Sequence, residues 1–129
     1  MNKLETFDIK LLYVEDEEDI REELEDFLSF RFKEVIVAEN GEEGLAKYKE
    51  HRPDILVTDV MMPKMNGLEM IKAIREEFGD IPVIVMTAFR KSDTNMGMIQ
   101  ELGIENIVAK PVEPHKVIES IKKAIEEKK

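Results

Sequence analysis

Cysteine is absent from the 129 residues, which excludes disulfides and thiolate metal centres and leaves the redox compartment without direct evidence. Base is in deficit: 19 Lys and Arg stand against 29 Asp and Glu, for a formal net charge of −10. Displacing counterions from nucleic-acid phosphates needs clustered cations, so no nucleic-acid or anionic-membrane surface is expected of this domain. Long apolar runs are missing as well. The opening MNKLETFDIK has no signal-peptide core and nothing approaches membrane-spanning length, so the default expectation is a soluble cytoplasmic protein. Linkers, internal repeats and low-complexity tracts are also lacking. What remains is a chain of single-domain length with 43% hydrophobic residues, enough for one compact domain over residues 1–129.

Short apolar runs alternate with amphipathic stretches from end to end. Ile9–Val14, Val35–Ala38, Ile55–Thr58, Val83–Met86 and Ile107–Ala109 read as strands. Between them, Ile20, Leu24, Phe27 and Leu28 recur at helical spacing. Asn40 with Glu43 offers an N-cap for a helix burying Leu45 and Tyr48, which Pro53 ends. Pro63 and Asn66-Gly67 mark a turn, followed by a helix with Leu68, Ile71, Ile74 and Phe78. Ser92 or Asp93 can cap a short helix carrying Met98, Ile99 and Leu102. Pro114 suits the first turn of a last helix that buries Val117, Ile118, Ile121, Ala124 and Ile125. The strands are continuously apolar, as in strands covered on both faces, so about five βα units in an α/β, doubly wound parallel sheet are expected.

Four of these runs end on residues suited to phosphate or a hard cation: Glu15-Asp16, Asp59, Thr87 and Lys110. In open parallel sheets ligands bind outside the carboxyl ends of the strands, so all five residues would meet on one edge. Three carboxylates there would repel one another unless a cation bound them. Mg²⁺ suits oxygen ligands and bridges carboxylates to phosphate. Taken singly, each residue reads more plainly: Asp59 as a turn residue, Thr87 as a strand end, Lys110 as a solvated charge. Their coincidence is what points to phosphoryl chemistry.

Four motifs then carry a resemblance. They are L-Y-V-E-D-E at Leu12–Glu17, P-D-I-L-V-T-D-V-M-M-P-K-M-N-G at Pro53–Gly67, V-I-V-M-T-A at Val83–Ala88 and K-P at Lys110-Pro111. In these the chain resembles the receiver domain of two-component response regulators. That resemblance implies a single (βα)5 flavodoxin-like domain with strand order 2-1-3-4-5 and helices on both faces. It implies that Asp59 is a phosphoacceptor for a histidine kinase or phosphotransfer protein. Glu15, Asp16, Asp59 and the backbone carbonyl of Met61 would hold Mg²⁺. Thr87 and Lys110 would contact the phosphoryl oxygens, joined by the amides of Val60, Met61 and Ala88. A cis Lys110–Pro111 bond follows too. The domain would be a switch and not a turnover enzyme. It would signal to a target or output domain, or form a homodimer, through its fourth helix, fifth strand and fifth helix. Such a domain occurs either as a stand-alone regulator or within a longer protein.

The sequence also departs from the pattern. Ile107 stands where receivers commonly place Tyr or Phe, so coupling of an aromatic ring to the threonine is not expected. Met61 and Phe89 are apolar where they would flank the water that hydrolyses an aspartyl phosphate, which implies a long-lived phosphorylated state. Other readings fare worse. A nucleotide-binding flavodoxin-like protein needs a Gly- or Ser/Thr-rich loop where E-D-E-E-D stands. An EF-hand lacks its glycine and closing glutamate, and a haloacid-dehalogenase-type phosphatase lacks D-x-D on the first strand. His51 and His115 are isolated. A receiver-fold scaffold that works without phosphorylation is the remaining alternative, and the intact acid cluster argues against it.

Overall fold

The computed structural model describes residues 6–88 and 95–128. Its elements alternate: β1 (Phe7–Val14), α1 (Glu18–Ser29), β2 (Phe32–Ala38), α2 (Gly41–His51), β3 (Ile55–Asp59), α3 (Gly67–Phe78), β4 (Val83–Thr87), α4 (Asn95–Glu101), β5 (Ile107–Ala109) and α5 (Pro114–Lys128). All strand pairings are parallel, in the order β2-β1-β3-β4-β5. The expected doubly wound α/β sheet is therefore present, with its expected order. No helix of the described residues is long and apolar enough to cross a membrane.

Apolar residues on both sides of each central strand explain the two layers. Leu12 and Val14 join a core with Leu56, Val85, Leu68, Ile71 and Ile74 on the face of α2, α3 and α4. Leu11 and Tyr13 point the other way, into a core with Ile55, Val57, Ile84 and Met86 under α1 and α5. Burying one such side chain is worth about 1.5–3 kcal/mol, so neither face tolerates a register slip, which would exchange the two sets. α5 begins at Pro114, and Val117, Ile118, Ile121 and Ala124 are its buried stripe as its spacing predicted, while Ile125 is only partly buried. Ile107 packs partly buried against the α2–α3–α4 core.

Two local readings change. Along α1 the buried positions are Arg21, Leu24 and Leu28, while Ile20 is 40% exposed. Leu24 and Leu28 are buried and Phe27 partly buried as expected, so only the first position of the stripe shifts, and an arginine occupies the place expected of an aliphatic chain. Asn66 is more than a turn residue: it caps α3 in a capping box, accepting from the Glu69 amide while the Glu69 side chain accepts from the Asn66 amide. Asn40 caps α2 through Glu43 as expected. Ser92 and Asp93, candidates for capping α4, lie outside the described residues.

Candidate functional site

Register brings the strand ends to one edge. Val14 pairs with Thr58, so Glu15 comes level with Asp59. Asp59 pairs with Met86, placing Thr87 one step beyond, and Thr87 pairs with Ala109, directly before Lys110. The five residues singled out from the sequence therefore meet where their strands end. Glu15, Asp16 and Asp59 each present a carboxylate oxygen within 4.8 Å of the others. Glu15 and Asp59 are buried, Asp16 is half-buried and Thr87 is 4% exposed. The Lys110 Nζ donates to Asp59 Oδ2 at 2.6 Å and stands 3.8 Å from Glu15 Oε1. The Lys110–Pro111 peptide is cis, as expected. Met61 follows in the β3–α3 loop with 66% of its surface exposed, and Phe89 lies outside the described residues.

Electrostatics follow from crowding acids in a buried place. Desolvation pushes the Glu15 carboxyl up to about 7; the Asp59 charge adds to this, while the Glu17 amide and Lys110 oppose it. For Lys110, burial alone would lower the ammonium's pKa. The hydrogen bond and charge of Asp59, with Glu15 and Glu17, outweigh it and raise the value. One lysine is shared among several acids, so negative charge remains to be compensated. The buried Glu15 Oε1 has no hydrogen-bond partner. A hard cation fits this donor set, because an orphaned carboxylate oxygen is the ligand such an ion takes.

The backbone shapes the cluster closely. Gly67 donates its amide to the Val60 carbonyl at 2.9 Å, and a Cβ built on it would lie 2.1 Å from the Asp59 carbonyl oxygen. Only glycine allows α3 to begin this near the Asp59 backbone carbonyl. The Val60 amide, counted among the donors for phosphoryl oxygens, instead donates to the Met86 carbonyl at 3.3 Å. That bond is long, but it belongs to the β3–β4 junction. Arg21 belongs to none of the sequence motifs, yet it reaches the cluster. Its Nη1 donates to the Glu15 carbonyl at 2.9 Å and its Nη2 approaches Glu39 Oε1 at 3.4 Å. Its signal was its spacing, three and seven residues before Leu24 and Leu28, which hides inside a charge-rich helix.

Comparison with known proteins agrees with this geometry. A family model for the response regulator receiver domain matches residues 11–122. A probable transcriptional regulator of Pyropia yezoensis is 41% identical over 106 residues, covering 81% of this chain and 42% of that protein. The alkaline phosphatase synthesis transcriptional regulatory protein PhoP of Bacillus subtilis is 37% identical over 114 residues, covering 88% of this chain and 47% of its own length. The chain thus spans less than half the length of these curated relatives. Among solved structures, the N-terminal domain of an uncharacterized protein from Wolinella succinogenes superposes with a TM-score of 0.84 at 38% identity, covering 93% of this chain and 96% of that one. The chemotaxis protein CheY4 of Vibrio cholerae gives 0.82 at 28% identity, covering 92% and 99%. The family model covers most of the chain, and the chain belongs to the response regulator receiver domain family.

Proposed function

We propose that Asp59 accepts a phosphoryl group from a phosphohistidine of a sensor histidine kinase or phosphotransfer protein. The observation that carries this is the meeting of three carboxylates within 4.8 Å, with Lys110 Nζ 2.6 Å from Asp59 Oδ2, at the carboxyl ends of the strands. An Asp59 carboxylate oxygen attacks phosphorus; the P–O bond forms as the P–N bond breaks, and the imidazole leaves carrying a proton. Phosphoryl transfer asks the protein for position and charge compensation more than for covalent help. Glu15, Asp16, Asp59 and the Met61 carbonyl would hold Mg²⁺, which supplies charge neutralisation between carboxylates and phosphoryl oxygens. Thr87 donates its hydroxyl, and Lys110 its ammonium, to those oxygens.

The output is conformational, read by a downstream protein or an attached output domain through α4, β5 and α5. A homodimer through the same elements belongs to this reading. Residues 1–129 act in it as a single switching domain, without turnover. The relatives named as transcriptional regulators support an output in gene control.

The test is incubation with acetyl phosphate and Mg²⁺, followed by intact-mass measurement. Wild type is expected to gain one phosphoryl group, and Asp59→Asn to gain none while keeping its circular dichroism and melting curve. Full labelling of Asp59→Asn would move the acceptor elsewhere. Failure of the folded wild type to label would favour a scaffold that works without phosphorylation.

A further inference from the structure

We infer that Arg21 is a positioning residue for the acid cluster: it holds the β1–α1 loop so that Glu15 and Asp16 face Asp59. The inference rests on the reading of that cluster as a cation and phosphoryl site. Arg21 is 8% exposed and sits in the core-facing stripe of α1, where packing alone asks for an aliphatic side chain. A buried cation persists only with partners, and those of Arg21 are informative. Its Nη1 donates to the backbone carbonyl of Glu15 at 2.9 Å. The Glu15 amide in turn donates to the Ala38 carbonyl at 3.1 Å. Both peptide groups flanking the Glu15 side chain are thereby fixed, one by the end of β2 and one by Arg21. The Glu15 Oε2 accepts from the Glu17 amide at 3.1 Å, which leaves Oε1 as the oxygen without a hydrogen-bond partner.

The reach follows from helix geometry. Side chains lean toward a helix N-terminus, so a residue in the first turn of α1 lies over the loop that precedes it. An arginine fork also has a second donor to spare. Here it goes to Glu39 Oε1 at 3.4 Å, linking α1 to the end of β2. Glu39 has 64% of its side chain exposed, so that pair contributes little and the carbonyl contact is the one that matters.

Charge and position make opposite demands, and this gives the test its sign. A cation near a Mg²⁺ site repels the metal, so deleting Arg21 would tighten binding if only its charge acted. If Arg21 acts by position, deleting it weakens binding. Groups that orient metal ligands typically cost roughly 10–100-fold in metal affinity when removed. The experiment uses the full chain, Mg²⁺ as the probe, calorimetric titration, and ¹H–¹⁵N amide spectra of the Mg²⁺-free protein. Arg21→Met is expected to weaken Mg²⁺ binding within that range and to shift the Glu15, Asp16 and Glu17 amides without Mg²⁺, leaving those of α5 in place. Arg21→Lys, which keeps one donor, is expected to recover part of the affinity, and Glu39→Gln to stay near wild type. Unchanged or tighter Mg²⁺ binding in Arg21→Met, or unmoved Glu15–Glu17 amides, would overturn the role of Arg21. Should Arg21→Met not fold, wild-type affinity and spectra in Arg21→Ala, which also removes every side-chain donor, would overturn it equally. Wild-type protein that binds no Mg²⁺ would overturn the reading of the cluster instead, and the metal-free spectra would still decide on Arg21.

Discussion

Tyr13 places a phenol hydroxyl inside the molecule with no hydrogen-bond partner. The residue is wholly buried between β1's neighbours and a cavity of about 260 Å³ that Ile20, Leu24, Met86, Lys110 and Pro111 also line. Burial first, then the charges of Glu15 and Asp59, push its pKa far up, with Arg21 opposing, so the hydroxyl stays neutral. An unpaired buried hydroxyl carries a desolvation penalty of about 1–3 kcal/mol and returns nothing for it. Tyr13→Phe keeps the ring and its packing while deleting that group. The variant is expected to match or exceed wild type in urea-unfolding free energy. A clear loss of stability would show that the hydroxyl is paired, for instance through water in the cavity. The meeting of the carboxylates, Thr87 and Lys110 at one edge was legible in the sequence because each closes an apolar run. Arg21 and Tyr13 were not, since one looks like a surface charge and the other like ordinary strand filling.

At the level of elements, the start of α3 is a tight joint beside the site. Asn66 and Glu69 close the capping box while Gly67 abuts the Asp59 carbonyl. A methyl group at residue 67 would overlap backbone and not a flexible side-chain end, so β3 or α3 must shift. Gly67→Ala is therefore expected to displace Asp59 and lower the acetyl-phosphate labelling rate by an order of magnitude or more, since a displacement near 1 Å can cost about 10²-fold. Labelling at the wild-type rate would mean the joint yields without moving Asp59. The order and type of elements were readable because each helix and strand carries its own period. Boundaries were less so: β2 begins at Phe32, earlier than the apolar run at Val35, because Lys33 and Glu34 interrupt it on an edge strand. Stacking of Phe7 on Phe32 at 4.9 Å extends the β1–β2 pair, a contact between residues far apart in sequence. The burial of Arg21 in place of Ile20 was hidden for the same reason, because its partners Glu15 and Glu39 lie just past the ends of β1 and β2.

On the scale of the whole molecule, burial of the acid cluster works against stability, and pH exposes this. Glu15 takes its proton at about 7 in the folded chain, against an ordinary value of 4.5. Between those values the folded state holds a proton that the unfolded state has released. Stability then falls as pH rises through this window, and the loss is complete above the folded value. The net charge of −10 works in the same direction, since self-repulsion grows as carboxyls ionise. Mg²⁺ would reverse the trend, because it binds the ionised cluster and only the folded chain assembles that cluster. Urea unfolding in EDTA is expected to give greater stability near about pH 5.5 than near about pH 8, on either side of the folded value. Added Mg²⁺ is expected to stabilise the protein at the higher pH and to do little at the lower, where the proton competes with the metal. Glu15→Gln should flatten the EDTA profile while losing most of the Mg²⁺ effect. Stability that rises with pH in EDTA, or Mg²⁺ stabilisation equal at both pH values, would show that the burial of Glu15 does not govern the balance.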